Sequence, residues 1–347
     1  GGIGFEAYSR ILVGPATCVG CPAWCKNVVK TQFDGKEVRG PGPEYETLAA
    51  LGSLCLNNDL DAVALANQKC NLYGLDTIST GVTIAFAMEA AERGLLRGYN
   101  IKWGDAQRIL SLIDEIATRQ GVGDALADGV ARLSAEMGVD FAQEVKGQEI
   151  ALHEPRGKKG FALSVATSPQ GGHHTQGMHD HSFQTTPVAE ELGISGCVDP
   201  LSFDKQAEVV KTYEDLMSFT DSCILCRFTS FNRTGRRYLY PQVREALYAV
   251  TGIEMSAREM LATGERNYLL LRLAANAAGY GREHDRLPRR MHTPLPSGPL
   301  AGTAIGEEEL SLAIDAYYSA RGYDPLGRPM SDKLRELGID VTGYRKL

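Results

Sequence analysis

The sequence predicts an all-α, mainly helical protein: two helical domains meeting at a cofactor site, with a small β-hairpin near the N-terminus. Three observations predict it. Apolar residues recur near the 3.6-residue period in segment after segment. Strand-like alternation is found around Asp34-Gly35, a good hairpin turn, and strand signals are few elsewhere. The 347 residues, 43% of them apolar, amount to about two domains at roughly 150 residues each.

Taken in order, the alternating residues 26–39 read as a short two-stranded excursion. The first helix follows Asn57 or Asn58, either of which suits an N-cap, and carries Leu60, Val63, Ala64 and Cys70 at helical spacing. A second helix is expected over residues 77–93, closed by Gly94, and a third over 105–120, closed by Gly121. Ile109, Leu112, Ile113 and Ile116 give the third one apolar face. Further helices are expected over 124–137, 204–219, 241–250 and 256–278, the last opening with Ser256 and Glu259 at capping-box spacing. Residues 149–198, rich in Gly, His, Pro and Ser, read as irregular, and the start of this stretch divides a domain 1–150 from a domain 151–347. The Pro/Gly-rich residues 292–306 read as a surface crossover. In a bundle of this kind ligand sites lie between helices or on the loops that join them, and the fold by itself names no chemistry.

Lys+Arg total 36 against 43 Asp+Glu, a net charge of −7 with no basic block. That argues against nucleic acid as the main partner, since phosphate neutralisation needs clustered cations, and favours a small molecule or a protein. No run approaches the roughly 18 to 20 apolar residues of a membrane span, and the first residues carry no basic flank before an apolar stretch. The expectation is a cytoplasmic protein without a membrane span. Eight cysteines in such a chain point to a reducing compartment and to chemistry rather than crosslinking.

Cys18, Cys21 and Cys25 form a C-x2-C-x3-C run with glycine and proline between the thiols. Three thiolates so spaced wrap one corner of a cubane, and a distant fourth cysteine completes a [4Fe–4S] site. A structural zinc and three unrelated buried thiols are the alternatives. Cys55, Cys70, Cys197, Cys223 and Cys226 are all candidates for the fourth ligand, and spacing does not choose between them. His173, His174, His179 and His181 fall within nine residues of a Gly-rich loop, which reads either as acid–base or hydrogen-bonding groups of a pocket or as a surface loop or second metal site. Glu44 and Glu46, after the Gly40-Pro41-Gly42-Pro43 turn, suit a proton-transfer carboxylate beside that histidine, or simply a helix start. Residues 71–76 and 221–226 share a form, a polar residue followed by spacers, Leu and a ligand-capable residue in sixth place, as two halves of a cradle would.

The cysteine run, Pro43-Glu44-Tyr45-Glu46-Thr47, residues 71–81 and the 221–226 loop, in this order, resemble the tungsten-containing aldehyde:ferredoxin oxidoreductase family. Gly264-Glu265-Arg266, Arg286-Leu287-Pro288 and residues 317–333 resemble it too. The resemblance covers the family's two helical domains, 2 and 3, without its β-rich N-terminal domain. It implies that Cys18, Cys21, Cys25 and Cys226 hold a [4Fe–4S] cluster beside a tungsten (or molybdenum) bis-molybdopterin. It implies that Asn71, Leu75, Asp76, Gln170, Gln176, Asp221 and Leu225 contact pterin, and that Glu46 and His174 stand near the metal as proton-transfer and substrate-orienting groups. Domain 1–150 would carry the cluster motif and the first pterin loop; domain 151–347 would carry the histidine loop, the second pterin loop and the fourth cysteine. The implied reaction is oxidation of an aldehyde to a carboxylic acid, with ferredoxin or another iron–sulfur protein as electron acceptor and a homodimer as one option of assembly. Asn71 stands where aspartate is common, Cys223 near a usual glycine, and Gln170 and Gln176 where cations are expected. These departures leave two other readings open, a subunit like the tungsten-dependent benzoyl-CoA reductases and a non-catalytic iron–sulfur module.

Overall fold

The computed structural model describes residues 1–183, 197–230 and 240–340. The chain divides into two compact units, Gly1–Leu152 and His153–Leu347. Among the described residues no helix is long and apolar enough to cross a membrane.

The first unit opens with α1 (Phe5–Ile11) and a three-stranded antiparallel sheet in the order β1 (Leu12–Ala16), β2 (Lys26–Phe33), β3 (Lys36–Pro41). The expected hairpin is β2–β3, with Phe33 opposite Lys36 across Asp34 and Gly35, both at positive φ. To this hairpin β1 adds a third strand that the sequence does not announce, because its Leu-Val-Gly-Pro-Ala sequence lacks alternation and is broken by Gly and Pro, as an edge strand with a bulge tolerates. Then follow α2 (Tyr45–Leu48), a π-turn (Ala49–Ser53), α3 (Leu60–Tyr73), α4 (Thr77–Glu92), α5 (Ala106–Thr118), α6 (Val122–Leu126), α7 (Val130–Met137) and a minimal hairpin, β4 (Glu144–Val145) with β5 (Gln148–Glu149). The cap of α3 is Asp59, which accepts from the Asp61 and Ala62 N–H groups at 3.0 Å; Asn57 instead accepts from Asp59 N–H at 3.1 Å and donates to Leu51 O at 3.2 Å. The expected helix 124–137 is two helices, because Gly129 takes φ +81° and the Val130 N–H turns to the Glu149 carboxylate at 3.0 Å.

Helix α4 is the centre of this unit, with residues 80–88 all buried. Gly81 allows it, since a Cβ there would stand 2.6 Å from that of Ala50. The apolar face expected of α5 is buried as Ile109, Leu112, Ile113 and Ile116.

The second unit contains α8 (Lys159–Thr167), α9 (Gln206–Ser222), α10 (Arg227–Ser230), α11 (Tyr240–Thr251), α12 (Ala257–Ala277), α13 (Glu307–Arg321) and α14 (Ser331–Glu336). Helix α8 corrects the reading of residues 149–198 as irregular; it is buried on every side, its few polar residues included, so its sequence has no amphipathic period to betray it. Residues 184–196 of that stretch lie outside the described residues. The capping box of Ser256 and Glu259 forms as expected at the start of α12. Helices α8, α12 and α13 pack on α9. Between them lies a buried charged cluster in which Arg321 meets Glu214 at 2.7 Å and Asp215 by a second ion pair.

Candidate functional site

In the first unit the three thiols stand on the loop between β1 and β2, Cys18 exposed and Cys21 and Cys25 half-buried. The loop turns on Gly20 at φ +73° and Trp24 at +46°, with Cys21 N–H donating to Cys18 O at 3.0 Å and Ala23 N–H to Cys21 Sγ at 3.5 Å. An N–H aimed at a sulfur is the hydrogen bonding a thiolate accepts. Cys55 and Cys70 are fully buried, and burial pushes their thiols up to about 12 and about 11, so both remain protonated core thiols. Cys55 donates to Ala50 O at 3.3 Å. No disulfide joins any of the eight cysteines, and Cys197, Cys223 and Cys226 are accessible thiols of the second unit.

Glu46 sits in the first turn of α2, half-buried, its Oε2 accepting the Leu152 N–H at 2.8 Å. Glu44 precedes it as the N-cap residue and pairs with Lys26 at 3.4 Å.

The two similar loops have one backbone geometry. At the end of α3, Gly74 N–H donates to Asn71 O at 3.4 Å and Leu75 N–H to Cys70 O at 2.9 Å, with Gly74 at φ +71°. At the end of α9, Ile224 N–H donates to Asp221 O at 2.9 Å and Leu225 N–H to Thr220 O at 3.0 Å, with Ile224 at φ +57°. Both are helix C-caps closed by a left-handed residue. Each loop presents an exposed carboxylate: Asp76 Oδ1 accepts Ser79 N–H at 2.7 Å, and Asp221 Oδ2 accepts from Gln176 Nε2 at 3.4 Å.

Ile224 is a β-branched residue in the left-handed region and 93% exposed, so little packing among the described residues offsets the strain. Ile224→Asn is expected to raise stability by roughly 1 kcal/mol in thermal unfolding. A variant no more stable than wild type would mean that the loop is not left-handed at this position in solution.

The histidine loop follows α8. Asp180, fully buried, ties it down by accepting from Gly160 N–H at 2.7 Å, Phe161 N–H at 2.9 Å and Gln206 Nε2 at 3.0 Å. Burial nevertheless pushes its carboxyl up to about 6. Because this lies above the unfolded value of about 3.9, the folded chain holds the extra proton between roughly pH 4 and 6, and stability falls as pH rises through that window by up to about 3 kcal/mol. Chemical denaturation of the chain at several pH values checks this; Asp180→Asn is expected to remove that part of the slope.

The rings of His174 and His153 stand 5.3 Å apart, those of His153 and His179 4.6 Å, and those of His179 and His181 5.9 Å. Burial, helped by neighbouring positive groups, lowers His173 to about 4 and His179 to about 2, so both imidazoles are neutral at pH 7. His173 Nε2, Gln176 Oε1 and His179 Nδ1 are buried without a hydrogen-bond partner among the described residues. Such desolvated donors and acceptors are what a bound group rich in hydrogen-bonding edges would satisfy. Gln170, by contrast, is exposed, its N–H donating to Ser168 Oγ at 3.2 Å. Sequence reasoning missed Arg227, whose Nη1 donates to His174 O at 3.2 Å; its place directly after Cys226 was the available signal.

Fold and loops together define a class: a helical protein of two units with two similar loops at helix ends and a three-cysteine run on a loop of the small sheet. The chain belongs to the aldehyde ferredoxin oxidoreductase family, the model of whose domains 2 and 3 matches residues 1–339. It is 34% identical over 341 residues to the tungsten-containing aldehyde ferredoxin oxidoreductase of Pyrococcus furiosus, covering 95% of this chain and 53% of that protein. The enzyme of the same name from Thermococcus kodakarensis matches with the same identity and coverage. The aliphatic sulfonate oxidoreductase WOR-like subunit of Pyrococcus furiosus is 28% identical, covering 92% of this chain and 49% of that one. The chain thus spans about half the length of the curated relatives it matches. In fold it is similar to the active-site complex BamBC of benzoyl coenzyme A reductase solved with 1,5-dienoyl-CoA, with a TM-score of 0.72 at 20% identity, covering 97% of this chain and 54% of that one.

Proposed function

We propose that this chain forms the two helical domains of a tungstopterin- and [4Fe–4S]-dependent oxidoreductase that oxidises an aldehyde to a carboxylic acid, with ferredoxin as electron acceptor. The observation that carries the reading is the repeated loop of residues 70–76 and 220–226, in a chain of the aldehyde ferredoxin oxidoreductase family. The donor set suits the two groups. Cys18, Cys21, Cys25 and Cys226 would hold the cluster, while Asn71, Leu75, Asp76, Gln170, Gln176, Asp221 and Leu225 would contact pterin, whose N–H groups match the exposed carboxylates. When bound, the metallopterin supplies two-electron redox chemistry and the cluster passes electrons on singly.

The chain's own residues supply orientation and proton handling. Glu46 acts as general base, one carboxylate oxygen held by the Leu152 N–H so that the group keeps its place while it takes the proton. His174 donates a hydrogen bond to the substrate oxygen, its backbone fixed by Arg227.

Metal analysis of the anaerobically purified enzyme tests the reading. About four iron and one tungsten per chain is the expected result; molybdenum in place of tungsten would change the metal and keep the rest. Zinc without iron overturns it. Parallel assays with aldehydes and with aromatic acyl-CoA esters then separate aldehyde oxidation from thioester reduction.

A further inference from the structure

We propose that Arg227 and His173 form a clamp for an anionic oxygen in the histidine loop, supplied by the phosphate of the pterin cofactor or by the carboxylate of the acid product. The naming of those two ligands rests on the function proposed above; the clamp rests on the geometry.

His173 Nδ1 receives the Thr175 backbone N–H at 3.3 Å and lies 2.8 Å from Thr175 Oγ1. A ring nitrogen that accepts carries no proton, so the imidazole is neutral with its proton on Nε2. That Nε2–H is buried and has no acceptor among the described residues. As a donor it suits an oxygen and does not suit a metal ion, which needs the lone pair. The cation beside it is Arg227, tethered by Nη1 to His174 O at 3.2 Å, hydrogen-bonded to Tyr213 and 5.8 Å from the centre of that ring. Arg227 is close enough that its charge disfavours protonation of both His173 and His179. The neighbouring acid, Asp221, is engaged by Gln176 at 3.4 Å. A guanidinium next to a fixed neutral N–H, on a loop anchored by Asp180, is a charge-assisted site for one anionic group. His173 is therefore a binding residue in its own right, separate from the role given to its neighbour His174.

The test uses the full enzyme, wild type and the variants Arg227→Gln, His173→Leu and His173→Gln. Inorganic phosphate is expected to slow phenylglyoxal modification of Arg227 in the wild type, to lose that effect in His173→Leu and to regain part of it in His173→Gln, which keeps an N–H donor. Phosphate without effect on the wild type overturns the clamp. Loss of tungsten and pterin by tenfold or more in Arg227→Gln and His173→Leu, with iron content and melting temperature unchanged, identifies the cofactor phosphate as the ligand. Full tungsten and pterin with a tenfold weaker inhibition by acetate, when acetaldehyde is the substrate, identifies the product carboxylate. Neither change in a fully loaded enzyme overturns the clamp and leaves the proposed function standing, whereas a wild type that shows phosphate protection but never contains pterin keeps the clamp and removes the function.

Discussion

Glu46→Gln is expected to lower turnover by a factor of about 10² to 10⁴, the usual contribution of a positioned proton acceptor, while iron and tungsten contents stay at wild-type levels. The amide is nearly isosteric and keeps an oxygen to accept the Leu152 N–H that now binds Glu46 Oε2 at 2.8 Å. The neighbouring contact of Thr47 Oγ1 with Thr77 Oγ1 at 2.8 Å is untouched, so the turn that carries residue 46 should survive. What the amide cannot do is take a proton at neutral pH. Steady-state aldehyde oxidation beside metal analysis checks the expectation. Wild-type turnover with full metal content would remove Glu46 from the mechanism.

Arg321→Met is expected to destabilise the second unit by about 3–5 kcal/mol, the cost of breaking a buried ion pair by removing one partner. Arg321 is 1% exposed. Its Nη2 lies 2.7 Å from Glu214 and 3.3 Å from Lys211 O, its Nη1 bonds Asp215, its Nε donates to Tyr317 at 2.9 Å, and its guanidinium stands 4.1 Å from the centre of the Tyr268 ring. Burial already pushes the Glu214 carboxyl up, and the arginine is among the groups that hold it down. Methionine fills much of the volume and removes the charge, leaving two buried carboxylates, of which Asp215 keeps Lys211 at 2.7 Å. Urea unfolding of the chain reads the loss. A further Glu214→Gln change in the same variant should recover part of it, because the amide needs no counter-charge. A loss under about 1 kcal/mol would mean that the cluster is far better hydrated than its burial implies.

Both expectations concern residues that the sequence presents very differently. Glu46 stands out as a candidate because its carboxylate, after a Gly-Pro-Gly-Pro turn, falls in a motif order that resembles this family's; taken alone the segment reads as a helix start. Arg321 is not. It is one arginine among many at the end of a helix, and only packing shows that it is buried between α9, α12 and α13. The same contrast holds within the loops. The likeness of residues 71–76 to 221–226 could be read from residue types, yet the left-handed backbone at the fourth residue could be read only for Gly74. Ile224 in the equivalent place runs against local preference, and no sequence rule would assign it there.

Local chemistry explains what the sequence determined by itself about this protein: the mainly helical class, the β2–β3 hairpin around Asp34-Gly35, the capping box at Ser256, and the family, through the cysteine run and the ordered motifs. The helices, the hairpin and the capping box depend on residues within a few positions of one another, where spacing and turn chemistry act directly, and the family on the order of short local motifs along the chain. The tertiary structure decided the rest: α8, hidden because burial on all sides erases its period; β1, an edge strand that exists only because β2 is there to pair with it; the break at Gly129, drawn by the Glu149 carboxylate; and the neutral, proton-fixed state of His173. Those depend on which distant groups share a buried place, and desolvation and partner choice are properties of the folded chain that no local stretch of residues contains.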